Sequence, residues 1–112
     1  MAIVKVDYSN INHEEMASSI GLSVKHIPIL IESFLQESQP AIVSLKEVID
    51  TRDFDSIRRY AHFIKGSAGN LKFNEVYEMS KEMEFAATDK KADFDYLKYF
   101  EAIKKAIATI KS

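Results

Sequence analysis

Between Asn12 and Ile110 the apolar residues return every three or four positions almost without a break, the period of a helix face rather than of a strand. Only three Gly and two Pro occur in 112 residues, so few tight turns can be built and long helices must follow one another through short connections. The one stretch that alternates is "AIVKV", residues 2–6, which reads as an extended arm. A chain patterned in this way is all-α.

The helices can be placed from their punctuation. Asn12 is the N-cap of a short helix ending at Ile20, with Glu15 three residues on in a capping-box-like pair and Gly21 as the stop. A second helix starts after Ser23 and gathers Ile27, Leu30, Ile31, Phe34, Leu35, Ile42, Leu45, Val48 and Ile49 on one broad face. Pro28 falls in its first turns, where a missing N–H matters least. Pro40 lies well inside and predicts a kink or a break; the stripe resumes on the same face beyond it, which favours one kinked helix. A third helix begins near Asp53, again an N-cap, and runs to about Leu71. A fourth spans Asn74 to Thr88 with Val76, Met79, Met83 and Ala87 inward. A fifth begins at Asp93 and carries Phe94, Leu97, Phe100, Ile103, Ile107 and Ile110, leaving Tyr96 and Tyr99 partly exposed. The expected fold is an antiparallel up-down four-helix bundle, one domain over residues 1–112, with the short first helix as a lid.

Composition removes several classes of function. Without Cys there is neither a disulfide framework nor a thiolate metal site. The net charge is −2 and Lys and Arg are dispersed, which argues against a nucleic-acid-binding face. No apolar run approaches the roughly 20 residues that cross a bilayer, and the N-terminus lacks a signal peptide, so a cytoplasmic protein without membrane contact is expected. There is no P-loop or other Gly-rich phosphate cradle. His13 and His26 lack ligand spacing to each other or to His62 and read as capping or surface residues, so no metal site is expected. "KEMEF", residues 81–85, reads as a solvated helix face, and "DKKADFDYLKYF" as core aromatics rather than a base-stacking platform.

The segment "AHFIKGSAGN", residues 61–70, is where the pattern is locally inconsistent. On a wheel of 3.6 residues per turn, Phe54, Ile57, Ala61, Ile64, Ala68 and Leu71 form the core stripe. Asp55, Arg58, Arg59, His62, Lys65, Gly66 and Gly69 fall together on the outer face, a cationic strip. Each Gly costs about 1 kcal/mol of helix propensity relative to Ala, and both lie one or two turns beyond His62. The expectation is that they clear space for another macromolecule to approach an exposed imidazole. A neutral imidazole nitrogen is a nucleophile, and Lys65 with Arg58 or Arg59 can offset the charge of a phosphoryl group attached to it. The strip holds no carboxylate array for Mg²⁺. The chain could therefore hold a phosphoryl group but not activate one from ATP, and a partner would bring the metal.

"AHFIKGSAGNL" resembles the signature of histidine-containing phosphotransfer (HPt) domains, in which His-x-x-Lys-Gly-Ser follows an Ala on a bundle helix. "IESFLQESQPAIVSLKEVIDTRDFDSIRRYAH" is similar to the helix, connection and helix that lead into it. The resemblance implies that His62 is phosphorylated through Nε2, that Lys65 interacts with the phosphoryl group, and that Gly66 gives a receiver domain access. Ser67 matches the small hydroxyl residue of the motif. Phe63 resembles an exposed docking residue, with Met16 and Ile20 in the same patch. The chain departs from the family at Lys72, where Gly is frequent, and at Gly69, where Ala or a larger residue is common. The implied role is a monomeric phosphorelay carrier between aspartates of receiver domains, supplied by a sensor histidine kinase of the hybrid type, with Mg²⁺ on the receiver and no cofactor of its own. It would be a stoichiometric carrier rather than an enzyme, and an initiating Met points to a free-standing protein. The alternative is a helical-bundle adaptor that binds a receiver domain or kinase on the same face without being phosphorylated. A third reading makes the chain the substrate domain of a kinase acting in trans.

Overall fold

Asn12, Asp53 and Asp95 each accept a hydrogen bond on a side-chain oxygen from the backbone N–H three residues ahead, and each starts a helix. The computed structural model describes residues 3–111. It contains α1 (His13–Ile20), a single 3₁₀ turn (Val24–His26), α2 (Ile27–Asp50), α3 (Phe54–Asn70), α4 (Asn74–Thr88) and α5 (Tyr96–Ala108), with no strand among the described residues. α2 passes through Pro40 as one helix. None of these helices is long and apolar enough to cross a membrane.

The turns follow one rule. After α1, α2, α3 and α4 the chain reverses through the same pair of bonds. Gly21, Arg52, Lys72 and Lys90 donate to the carbonyl three residues back, and the next residue donates to the one five back. All four have positive φ, between 52° and 74°. Only Gly21 adopts that conformation without a Cβ penalty. With so few Gly available, three of the four turns place a long cationic side chain in a left-handed position instead.

α2 packs on α3, α3 on α4, α4 on α5, and α5 closes the ring onto α2, while α1 rests on α2. This is the expected four-helix bundle with a short additional N-terminal helix. Ile27, Ile31, Leu45, Ile57, Ile64, Val76, Met79, Met83, Ile103 and Ile107 are fully buried at its centre. Within the arm expected at residues 2–6, Ala2 lies outside the described residues; from Ile3 the arm forms neither helix nor strand and packs on the bundle. Tyr8 pins it. Its N–H donates to Thr109 Oγ1 (2.8 Å), its hydroxyl donates to Glu75 Oε1 (2.8 Å), and its ring lies 4.7 Å from that of Phe73.

α5 differs from the expectation at its start. The helix begins at Tyr96, capped by Asp95 rather than Asp93, so Phe94 lies before it and packs on Tyr96 and Tyr99 at 4.9 and 4.5 Å. Tyr96 is 2% exposed, with its hydroxyl donating to the Lys91 carbonyl, and Leu97 is 47% exposed. The inward face is set by Phe100, Ile103, Ile107 and Ile110. Tyr96 lies on that line, four residues before Phe100, whereas Leu97 is turned away by about 100°.

Candidate functional site

α3 is anchored at Asp53, which accepts from the Ser56 N–H (3.2 Å) and hydroxyl (2.8 Å), and those bonds hold its carboxyl below the usual range. From there the inward residues Ile57, Ala61, Ile64 and Ala68 lock the helix rotation, and Phe54 is half-buried at its start. The rotation leaves His62 on the outer face, its side chain 64% exposed.

The outer face meets α4 along one antiparallel line. His62 pairs with Glu84, and seven residues on along α3 Gly69 faces Tyr77, seven residues back along α4. His62 Nδ1 lies 2.8 Å from Glu84 Oε2, and Lys65 Nζ lies 2.7 Å from Glu84 Oε1. Glu84 is only 12% exposed and Lys65 18%. Burial works to raise the Glu84 carboxyl; the bonds and charges of Lys65 and His62 outweigh it, and the carboxyl sits below its ordinary value. An ionised carboxylate only accepts, so the ring nitrogen facing it must be the donor. In the neutral ring that is the Nδ1–H tautomer, which leaves Nε2 with the lone pair on an exposed ring.

"KEMEF" is therefore more than a solvated face, because Glu84 is mostly buried and joins His62 to Lys65. Beside it, Phe85 is 54% exposed. Glu84 escaped the sequence reading because a single-helix wheel cannot show which flank of α4 abuts α3. One signal was present in the spacing: Val76, expected inward, and Ser80 stand two turns and one turn before Glu84 on the same side of α4.

The other expected residues divide. Arg58 lies 3.8 Å from Asp55, and the Arg59 guanidinium donates to Ser56 Oγ (3.0 Å), so at rest each keeps to a partner on α3 and neither joins the His62–Glu84–Lys65 cluster. A Cβ at Gly66 would meet nothing within 4 Å. At Gly69 a Cβ would sit 3.1 Å from the Tyr77 ring. Gly66 does leave open surface; the space at Gly69 is taken from within, and that Gly permits a close helix contact.

A furrow runs between α2 and α3, and His62 does not line it. Phe63, 42% exposed, lines one end with Pro40, Ala41, Tyr60 and Arg59. Ile20, Leu30, Phe34 and Ser67 line the other, and Glu37 borders both. Met16 lies in a separate hollow with Ile11 and Lys72, sharing only Leu71 with that furrow. His26 is exposed on the 3₁₀ turn and His13 opens α1, far along the chain from the cluster. Among the described residues no group of three or more His, Asp or Glu is placed to hold a metal ion.

The model of the Hpt domain family matches residues 29–112, three quarters of the chain, from the first turn of α2 onward. No curated protein and no solved structure matches. Hpt domains are helical bundles that act as phosphocarriers in two-component signalling and interact with receiver domains and kinases. With the match spanning α3 and the whole bundle, the chain belongs to the Hpt domain family.

Proposed function

We propose that this chain is a phosphorelay intermediate, monomeric and cytoplasmic, that carries a phosphoryl group on Nε2 of His62 between receiver-domain aspartates, with a hybrid sensor kinase upstream. The observation that supports this most is the Nδ1–Glu84 bond at 2.8 Å. It orients an exposed imidazole with its nucleophilic nitrogen outward. The Nε2 lone pair attacks the phosphorus of an aspartyl phosphate as the bond to the aspartate oxygen breaks, and the reverse attack by a second aspartate empties the site. Such transfers proceed through a loose transition state in which positioning and charge neutralisation do most of the work. Mg²⁺ belongs to the receiver and offsets charge there.

Lys65, one turn from His62, supplies positive charge from this side. Gly66 leaves the approach open, Ser67 lies at the edge of the furrow, and Phe63 offers an apolar contact to the receiver; Ile20 extends that contact along the furrow. Incubation with a phosphorylated receiver domain and Mg²⁺ tests the reading. The expected label survives alkali, is lost in acid and vanishes in His62→Gln. Binding without any label would make the chain an adaptor.

A further inference from the structure

Among the described residues, no hydrogen bond reaches the main chain of the arm from Ile3 to Asp7; the first is the Tyr8 N–H to Thr109 Oγ1 at 2.8 Å. Exposure alternates along the same stretch. Val4, Val6 and Tyr8 are half-buried against the bundle, while Lys5 and Asp7 between them are exposed. That period of two is the period of a strand. The arm also precedes residues 29–112, so it lies outside what the family match covers.

Unbonded main-chain groups on a strand-like segment are a template for a second strand, and the side chains indicate which one. We propose that the arm pairs with the arm of a second copy of this chain, antiparallel and two-fold symmetric about Val6.

In that register Val6 lies opposite Val6, Lys5 of each copy lies opposite Asp7 of the other, and Val4 lies opposite Tyr8. Both charged pairs are of opposite sign, and a β-branched residue faces an aromatic one, the combinations that stabilise paired strands. The neighbouring registers lose this. A slip of two residues sets Lys5 against Lys5 or Asp7 against Asp7, and a slip of one mixes the apolar face with the charged one. The main chain agrees. Tyr8 turns its N–H inward to Thr109, and N–H groups alternate in direction along an extended strand. Those of Lys5 and Asp7 therefore turn outward, and these two residues exchange bonds across the pair.

Beside the arm a hollow of about 650 Å³ opens against α5, lined on its apolar side by Val4, Val6, Ala102 and Ala106. Lys98, Glu101 and Lys105 border it at one-turn spacing, and none of the three forms an ion pair among the described residues. A second copy thus meets an apolar surface rimmed by both signs of charge, as its own is. α3 and α5 both pack on α2 and α4, diagonally across the bundle from each other, so pairing along α5 leaves His62 of each copy open. Few residues take part on each side, too few for a stable interface. The chain is therefore a monomer when dilute, as the carrier reading has it, and pairs as its concentration rises.

Sedimentation velocity of the untagged chain from about 10 µM to about 1 mM tests this. Wild type should move from monomer toward dimer across that range. Lys5→Asp and Asp7→Lys each make both charged pairs repulsive and should weaken association about tenfold or more. Both positions are exposed, so the bundle itself is spared. Mixing the two single variants in equal amounts should restore association, because each supplies the charge the other lacks, and the double variant should associate as wild type does. A wild type that stays monomeric at the highest concentration overturns the proposal and leaves the arm to a different partner or to none. Self-association that the single variants leave unchanged overturns it too, since the contact would then lie elsewhere. So does a mixture that associates no better than its components.

Discussion

The Lys65 ammonium and the Glu84 carboxylate lie 2.7 Å apart with 18% and 12% of their side chains exposed, an ion pair that ties α3 to α4 beside the histidine. At that exposure it lies between a solvated surface pair, worth little, and a buried one whose disruption is costly. Removing one partner leaves the other poorly solvated. Lys65→Ala should lower stability by about 1–2 kcal/mol, measurable as a shift in the urea midpoint at unchanged slope.

The same pair sets a response to acid. Glu84 is held below its ordinary value of 4.5 in the folded protein. A group depressed by folding stabilises above its unfolded value, and that contribution is lost as pH falls through the folded one. Thermal midpoints should therefore hold steady from neutrality to about pH 5 and then decline. Glu84→Gln should start lower at neutral pH and decline less, because it has no such proton to take up.

The two α3 glycines should respond differently to Ala. Gly66→Ala meets open space and should add about 0.5–1 kcal/mol from helix propensity, while slowing transfer wherever a receiver approaches closely. Gly69→Ala gains the same propensity but pushes a Cβ against Tyr77 at 3.1 Å, so its net change should be smaller. Combining it with Tyr77→Ala should restore the propensity gain as a positive coupling in a double-mutant cycle.

Lys72 has a φ of 63° at the end of α3, where the family frequently has Gly. A left-handed Lys costs roughly 1 kcal/mol. Lys72→Gly should therefore raise stability by about 0.5 kcal/mol after the entropy of Gly is deducted, and Lys72→Ala should give no gain.

Much of this was legible in the chain because it is written locally. The caps at Asn12 and Asp53, the stop at Gly21 and the bounds of α4 follow from residues within one turn of each boundary. The exposed face of α3 follows from its own period. What one helix cannot record is its neighbour's register, and two features of the site depend on it: Glu84 reaches His62, and Tyr77 fills the space beside Gly69, from the same flank of α4. α5 was misread for a different reason. Leu97 looked more apolar than Tyr96, yet Tyr96 has a carbonyl partner for its hydroxyl and lies on the line through Phe100.

Phe63 offers a test of docking apart from chemistry. It is 42% exposed at the mouth of the α2–α3 furrow and is absent from the buried core. Phe63→Ser should leave stability within about 0.5 kcal/mol and weaken receiver binding by about 1–2 kcal/mol, the loss expected for an aromatic anchor. Calorimetric titration with a receiver domain, paired with a thermal melt, separates the two effects.

The most direct measurement is a long-range ¹H–¹⁵N correlation spectrum of the histidine-labelled protein, before and after loading with phosphoramidate. The account predicts a His62 ring protonated at Nδ1 with an unprotonated Nε2, and then phosphorus coupling to Nε2 with the Nδ1 proton still in place. A free ring protonated at Nε2, or phosphorus bonded to Nδ1, would contradict it.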